Sequence, residues 1–192
     1  MVVIDQATSP VPAAPGGIAP LATTPRQTAS AILKPTAVLG ATPSADSVPV
    51  RLVIASIGVD APLTAKGLDA RGDMEVPDGP EDVAWYAFTA RPGQGGNVVL
   101  SGHVDYRDYG PAVFARLGEL EPGELVELHT LDGAVTRYGV TVAVSYEAAK
   151  APAQEIVGPT SRETLTLITC DGRFDRTTQQ YSHRLVVRAE RL

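Results

Sequence analysis

Cys170 is the only cysteine in the 192-residue chain, and it lies in the stretch TLTLITCDGRFD. A cysteine thiolate is a strong nucleophile, but it needs a neighbouring base or a positive charge that favours its ionisation. Without such partners, a lone cysteine is more readily interpreted as a small buried hydrophobic residue. The assignment of Cys170 to catalysis therefore depends on whether the chain supplies a base and a cation.

Three histidines are the candidate bases: His103, His129 and His183. His129 lies just before the turn sequence LDG, and its simplest interpretation is a surface residue. His183 directly precedes Arg184 in a strand-like segment, where a surface or structural role is favoured. His103 follows a short apolar run and a glycine in VVLSGHVDY, a place where loops begin and sites tend to lie. Taken alone, even His103 is more simply interpreted as structural.

Arg184 opens a segment that continues as the apolar run LVV. A guanidinium beside an apolar strand needs a partner, because burial of an unpaired charge is costly. Two interpretations stay open: a strand-end side chain that reaches solvent through its long stem, or a fixed donor directed at an oxyanion. Residues 103, 170 and 184 are far apart in the sequence, so only the fold can bring them together.

The composition excludes several classes of protein. The net charge is -6 and the basic residues are scattered, which argues against nucleic-acid binding. A single cysteine excludes an internal disulfide and a Cys-rich metal site. No acidic cluster has the ligand spacing of a calcium loop, and we expect neither a metal nor another cofactor. The chain has no apolar run of the roughly 18 to 20 residues that a membrane helix requires, and its start lacks the pattern of a signal peptide.

The composition also divides the chain into residues 1–48 and residues 49–192. The first part is rich in Pro, Ala and Thr, and its prolines remove backbone donors and favour extended conformations. It cannot bury enough apolar surface to offset its ordering entropy, which is typical of an arm or stalk. Its one apolar patch, Ile32 to Leu39, leaves open the possibility that the arm folds over a groove and regulates access.

From residue 49 onward the pattern is that of a β-rich domain. The strand-like segments are VRLVIASI, VDAPLTA, GNVVLSGH, ELVELHT, GAVTRYGVTVAVSY, ETLTLITC and HRLVVRAERL. The segment PAVFARLGEL has apolar residues at helical spacing and predicts a short helix with Pro111 in its first turn. The segment DGRFD after Cys170 is typical of a turn, which would place the thiol at a strand end. Many short strands with one short helix predict an all-β, closed or nearly closed barrel.

Four blocks, in this order, closely resemble the sortases, which are cysteine transpeptidases of mainly Gram-positive bacteria. They are VRLVIASIGVDAPLTAKGLD, GNVVLSGHVDYRDYGPAVFARLGELEPGELVEL, TLTLITC and YSHRLVVRAERL. The third block matches the family's Thr-Leu-x-Thr-Cys signature, and the fourth resembles the last strand, where the family carries an arginine. Together the blocks span about residues 50 to 192, and the ordered set is far more specific than any one of them.

The resemblance implies a closed eight-stranded sortase-type β-barrel with one or two short helices. It implies His103, Cys170 and Arg184 as the catalytic residues, in a groove beside the strands that carry Cys170 and Arg184. We expect Ile168 and Thr169 to bind substrate, and the loop between residues 146 and 163 to line the groove.

The resemblance also implies the reaction. A sortase cleaves an LPXTG-like sorting signal after Thr through a thioacyl intermediate, and transfers the acyl group to a cell-wall precursor amine. This anchors surface proteins to peptidoglycan, whereas water as the acceptor would make the site a slow, cysteine-protease-like hydrolase. Within the family, SIGVDAP, GHVDYRDYGPAVFARL and CDGRFDRTT look most like class F. Those members more often have two glycines after the cysteine, where this chain has Asp171 and Gly172.

The implied location is the extracellular face of the plasma membrane or the cell wall. The family's usual membrane anchor is missing from the chain, which suggests that it has been removed and that the Pro/Ala-rich arm is the stalk. We expect a monomer whose partners are a sorting-signal peptide and a wall amine. Two alternatives stay open. An L,D-transpeptidase would have a Ser/Thr-His-Gly-Cys motif, which is absent here; a non-catalytic cell-surface β-barrel would only bind a ligand, and its cysteine would label slowly.

Overall fold

The computed structural model describes residues 47–192. All but the last two residues of the predicted arm, including the patch from Ile32 to Leu39, therefore lie outside the described residues. The described part consists mainly of β-strands. The ten strands, in chain order, are β1 Pro49–Ile54, β2 Val59–Lys66, β3 Val83–Tyr86, β4 Asn97–Gly102, β5 Asp105–Tyr106, β6 Gly110–Pro111, β7 Leu125–Thr130, β8 Val135–Glu147, β9 Thr164–Asp175 and β10 Gln180–Arg191. One α-helix, α1, spans Ala153–Val157, and 3₁₀ turns span Ala55–Ile57, Leu117–Glu119 and Ala148–Lys150.

Eight of the strands close into a barrel in the order β1-β2-β3-β4-β9-β10-β8-β7. The pairs β2–β3 and β4–β9 are parallel, and the other pairs are antiparallel. Strands β5 and β6 form a separate small hairpin that directly follows His103. The prediction of a closed eight-stranded barrel is confirmed.

Apolar side chains form two clusters, one on each side of the β4–β9 sheet. Alternation along β9 places Leu165 and Leu167 in the main cluster, which fills the barrel interior. Ile168 faces the other way and packs against a smaller cluster that contains Tyr86 and Val99. Cys170 is two residues beyond Ile168 and so lies on this outer face of the barrel.

The prediction of a short helix for PAVFARLGEL is wrong. This segment begins with the last residue of β6 and continues as turns and one 3₁₀ turn. The amide of Ala112 donates to the Val104 carbonyl at 3.1 Å, and the amide of Phe114 donates to the His103 carbonyl at 2.9 Å. Phe114 is fully buried in the main cluster. The apolar residues at helical spacing therefore anchor a loop onto the barrel. Two of its backbone donors bond His103 and Val104, and others close short turns within the segment.

Candidate active site

Cys170 and Arg184 are direct partners in the antiparallel pairing of β9 and β10. Opposed residues of neighbouring strands point to the same face of a sheet, so the thiol and the guanidinium share the outer face of the barrel. Arg184 Nη1 donates to the carbonyls of Tyr181 at 3.1 Å and His183 at 2.9 Å. These two bonds fix the guanidinium beside the thiol, which excludes the interpretation of Arg184 as a side chain that simply reaches into solvent.

Cys170 is a free, half-buried thiol. Burial raises the pKa of Cys170, the positive charge of Arg184 lowers it, and the carboxylate of Asp105 raises it. The net shift is upward from the ordinary thiol pKa, because burial outweighs the nearby cation. The resting thiol therefore keeps its proton at neutral pH, and its use as a nucleophile requires a base.

His103 follows the last residue of β4 and is held from two sides. Its Nε2 lies 3.1 Å from the carbonyl oxygen of Pro77, and its ring packs edge-on against Tyr106 with 5.3 Å between ring centroids. Since a carbonyl oxygen only accepts, Nε2 is the donor in this contact, and Nδ1 is left to exchange a proton.

The glycine before His103 is required by packing. A Cβ atom at Gly102 would lie 2.6 Å from a ring carbon of Phe114 and 2.8 Å from Cγ1 of Val113. Phe114 is also the residue whose amide bonds the His103 carbonyl. A side chain at position 102 would therefore displace the segment that holds His103.

Thr169, the residue before Cys170, joins the segments that carry Cys170 and His103. Its buried hydroxyl donates to the Gly102 carbonyl at 2.8 Å. The parallel pairing of β4 and β9 ends at Ser101 and Ile168, and this bond extends the link to the residues next to His103 and Cys170. Thr169 thus has a positioning role besides the substrate contact predicted for it.

All three predicted catalytic residues line one groove of about 350 Å³. Its walls are largely apolar, and two of its hydroxyl-bearing residues, Tyr86 and Ser101, have oxygens 2.6 Å apart. The groove is lined by Met74, Val76, Pro77, Tyr86, Ser101, Gly102, His103, Ala151, Ala153, Ile156, Val157, Ile168, Thr169, Cys170, Arg184 and Val186. Both predicted substrate-binding residues, Ile168 and Thr169, are in this set.

The sequence did not reveal what holds α1, which forms one wall of the groove. The amide nitrogen Nδ2 of Asn97 donates to the carbonyls of Ile156 at 2.9 Å and Gly158 at 3.0 Å. Asn97 Oδ1 in turn accepts a bond of 2.7 Å from the buried Thr166 hydroxyl. Arg188 Nη2 donates to the Ile156 carbonyl at 3.4 Å and to the preceding carbonyl. These side chains, on β4, β9 and β10, fasten the wall to the barrel.

The predicted turn after Cys170 is wrong, because β9 continues through DGRFD to Asp175. Gly172 has a φ of +78°, and the pairing with β10 shifts by a residue between Tyr181 and His183. This is a β-bulge, a feature that uses glycine at positive φ as a turn does. A Cβ atom at Gly172 would lie 2.5 Å from Ser182 Oγ, so the position is closed to other residues. Cys170 therefore lies within a strand, directly before its bulge.

The other two histidines are not among the residues that line the groove. His183 Nδ1 lies 2.8 Å from Ser182 Oγ, beside the bulge. His129 is half-buried, so its interpretation as a surface residue is only partly right; its Nε2 lies 3.9 Å from a carboxylate oxygen of Glu127.

Two features are absent from the described residues, 47–192. Among them, no group of three or more His, Cys, Asp or Glu side chains is arranged to hold a metal ion. No helix in this part of the chain is both long and apolar enough to cross a membrane.

A sequence model described as the sortase domain matches residues 52–192. A search of curated protein sequences finds no significant match. Among solved structures, the chain is similar to sortase C-1 from Actinomyces oris, with 29% identity, a TM-score of 0.57, and coverage of 76% of this chain and 73% of that one.

Two further structures share the fold at lower identity. A sortase D5 transpeptidase from Clostridium perfringens is 19% identical, with a TM-score of 0.57 and coverage of 75% of this chain and 78% of that one. A lid mutant of sortase A from Corynebacterium diphtheriae is 21% identical, with a TM-score of 0.57 and coverage of 76% and 70%. Together with the domain match, these similarities disfavour a non-catalytic binding module.

Proposed function

The chain belongs to the sortase family of cysteine transpeptidases, and from this membership we propose that Cys170, His103 and Arg184 are its catalytic residues. The observation that supports this proposal best is their convergence: three residues far apart in the sequence line one groove, with Cys170 and Arg184 paired across two strands. The pattern of a nucleophile, a base and a fixed donor of hydrogen bonds is the one that acyl transfer needs.

In the first half of the reaction, the Cys170 thiol loses its proton to His103 as the sulfur attacks the carbonyl carbon of the scissile peptide bond. Arg184 donates hydrogen bonds to the oxygen that becomes negative in the tetrahedral intermediate. The C–N bond then breaks, and His103 returns the proton to the leaving amine. The product of this half is a thioacyl-enzyme and a released peptide.

In the second half, an amine attacks the thioacyl carbon and gives a proton to His103. The C–S bond breaks, the new amide is released, and the Cys170 thiolate recovers its proton from His103. Water in place of the amine leads to hydrolysis. Because burial keeps the pKa of Cys170 high, the proton transfer to His103 belongs to the attack itself and not to the resting enzyme.

The proposed substrate is an LPXTG-like sorting signal, cleaved after Thr. The side chains of Ile168, Val186, Ile156 and Val157 give the groove apolar walls, which suit the Leu and Pro of such a motif. The proposed acceptor is an amine of a cell-wall precursor. Activity on these partners places the enzyme at the outer face of the membrane or the cell wall, with residues 1–48 as the stalk and residues 49–192 as the catalytic domain.

We propose class F as the subclass, and the bulge accounts for the departure from the two-glycine pattern. Gly172 has positive φ and no room for a Cβ atom. Asp171, the other position, has no such requirement: its carboxylate accepts a bond from the Ser145 hydroxyl. A residue other than glycine is therefore compatible with the position directly after the cysteine.

The experiment that tests the proposed substrate is transfer of a labelled library of LPXTG-type peptides to a panel of amines, read by mass spectrometry. We expect products cut after Thr and joined to the amine, with losses when Leu or Pro is replaced by a charged residue. Equal transfer of scrambled peptides would contradict the proposed motif, and release of cut peptide without amine products would contradict the proposed acceptor.

A further inference from the structure

Two side chains within electrostatic range of Cys170 are not used in the proposed mechanism: Asp105 on β5 and Tyr181 on β10. The Tyr181 hydroxyl donates to Asp105 Oδ2 at 2.6 Å. This bond joins residues that are 76 positions apart in the chain. It connects the hairpin that follows His103 to the strand that carries Arg184.

Further contacts fix this bridge relative to the catalytic residues. The Tyr181 carbonyl accepts the 3.1 Å bond from Arg184 Nη1, and the Tyr181 ring packs against Phe174 with 5.1 Å between centroids. On the hairpin side, Tyr106, the neighbour of Asp105, packs edge-on against the His103 ring. The carboxylate of Asp105 therefore has a defined position with respect to the segments of all three catalytic residues.

The charged and titratable groups near Cys170 come from three elements. Arg184 and Tyr181 lie on β10, Asp105 lies on β5, and His103 follows β4. The carboxylate of Asp105 raises the pKa of Cys170 and thus opposes the effect of Arg184. Burial and the Asp105 carboxylate raise the pKa of Tyr181 to about 12, so its hydroxyl stays a donor to Asp105 through neutral and moderately alkaline pH.

We propose that Asp105, held in place by Tyr181, is a further functional residue of the active site, whose negative charge offsets that of Arg184 at the Cys170 sulfur. Burial is the main reason that Cys170 stays a thiol in the free enzyme, and the Asp105 carboxylate adds to this effect by countering the guanidinium that the oxyanion needs. A thiol reacts slowly with electrophiles and oxidants, whereas a thiolate reacts fast. The Tyr181–Asp105 bridge therefore adds to the protection of the nucleophile until His103 accepts its proton. This inference rests on the proposed role of Cys170 as the nucleophile.

The experiment measures the rate of Cys170 alkylation by iodoacetamide as a function of pH, which needs no peptide substrate. D105N removes the charge and keeps the shape of the side chain. Removal of a nearby anion favours the thiolate, so the alkylation profile of D105N should move to lower pH, and its rate at pH 7 should rise by about threefold. The matched control is D108N, which removes the same charge from the tip of the same hairpin, at a residue with φ of 62° that asparagine tolerates.

The bridge itself is tested with Y181F, which removes the donor to Asp105. We expect the alkylation profile of Y181F to move in the same direction as that of D105N, by a smaller amount. The double variant should have the profile of D105N alone, because both changes act through the charge of Asp105. The control is Y109F, which removes an equivalent 2.6 Å bond from a tyrosine to the Glu81 carboxylate.

An alkylation profile of D105N that coincides with that of the wild type would overturn the inference, and so would equal shifts in D105N and D108N. The Tm of each variant shows whether a shift of its alkylation profile comes from partial unfolding. Failure of the proposed function gives a different result. A wild-type protein that transfers no peptide would contradict the proposed function, and the alkylation profiles would not depend on that outcome.

Discussion

The Thr169 hydroxyl donates to the Gly102 carbonyl at 2.8 Å, and this buried bond joins the residue before Cys170 to the residue before His103. The thiol lies on β9 and the imidazole directly after the end of β4, next to the point where the pairing of those strands ends. A bond at this place fixes their separation more directly than the barrel alone. It also gives a physical reason for the threonine in the Thr-Leu-x-Thr-Cys signature.

The substitution Thr169→Val tests this role. Valine keeps the shape of threonine but leaves the Gly102 carbonyl without its donor, at a cost of about 1 to 3 kcal/mol in the free energy of unfolding. We expect kcat for peptide transfer to fall by roughly tenfold or more, because small misplacements of catalytic groups are costly. Thr130→Val is the control: the Thr130 hydroxyl also makes local hydrogen bonds, to the Asp132 carboxylate and to the Ala134 carbonyl, at a position outside the groove. Equal kcat values for the two variants would contradict the positioning role.

Arg184→Lys tests the guanidinium as a fixed donor. Lysine keeps the positive charge but cannot make the forked bonds that hold the side chain to β10 and still reach an oxyanion. We expect a loss of roughly a hundredfold in kcat for acyl transfer, the size of effect found when one oxyanion donor is removed. Arg191→Lys, on the same strand, should retain activity. Activity of Arg184→Lys within about twofold of the wild type would show that charge alone suffices.

Gly172→Ala tests the bulge after Cys170. The substitution combines positive φ with a Cβ atom 2.5 Å from Ser182 Oγ, so β10 must shift two residues before Arg184, the partner of Cys170. Gly133→Ala has a similar φ of +82° and nothing within 4 Å of the new atom. We expect Gly133→Ala to lose about 1 to 2 kcal/mol of stability without loss of transfer. Gly172→Ala should lose more stability and most of its transfer activity, and a Tm equal to that of Gly133→Ala would contradict the close contact.

Asn97→Leu tests the attachment of α1. Leucine removes both bonds to the helix carbonyls while it keeps a similar side-chain volume, so the groove wall loses its anchor. We expect KM for the peptide to rise by about tenfold, since two hydrogen bonds together contribute about 1 to 3 kcal/mol to the position of the wall, with a smaller change in kcat. Val126→Ala, a core truncation on β7, should lower Tm and leave KM unchanged. A Tm loss in Asn97→Leu with an unchanged KM would assign Asn97 to stability alone.

The barrel could be predicted from the sequence because its strands are short, rich in β-branched residues and separated by turn signals. The helical spacing of the apolar residues in PAVFARLGEL led to the wrong prediction of a helix, since Phe114 and Leu117 pack into the barrel from a loop. The sequence DG after Cys170 was ambiguous for a physical reason: a turn and a bulge both use glycine at positive φ.

The proposed catalytic residues could be named from the family resemblance, whereas spacing alone left the role of each of them open. The contacts that support them were outside the reach of the sequence. The Tyr181–Asp105 bond and the Asn97 bonds to α1 each join residues more than 55 positions apart. Such contacts depend on the barrel closure, and no local pattern marks either partner.

The most direct test of Cys170 as the nucleophile is the intact mass of the protein after mixing with an LPXTG-type peptide in the absence of an amine. The account predicts an adduct with the mass of the acyl fragment up to Thr, located on Cys170 by peptide mapping, and its loss when an amine is added. It also predicts neither adduct nor transfer in Cys170→Ala, with the fold retained by circular dichroism. Transfer of the peptide to an amine by Cys170→Ala at the wild-type rate would contradict the account.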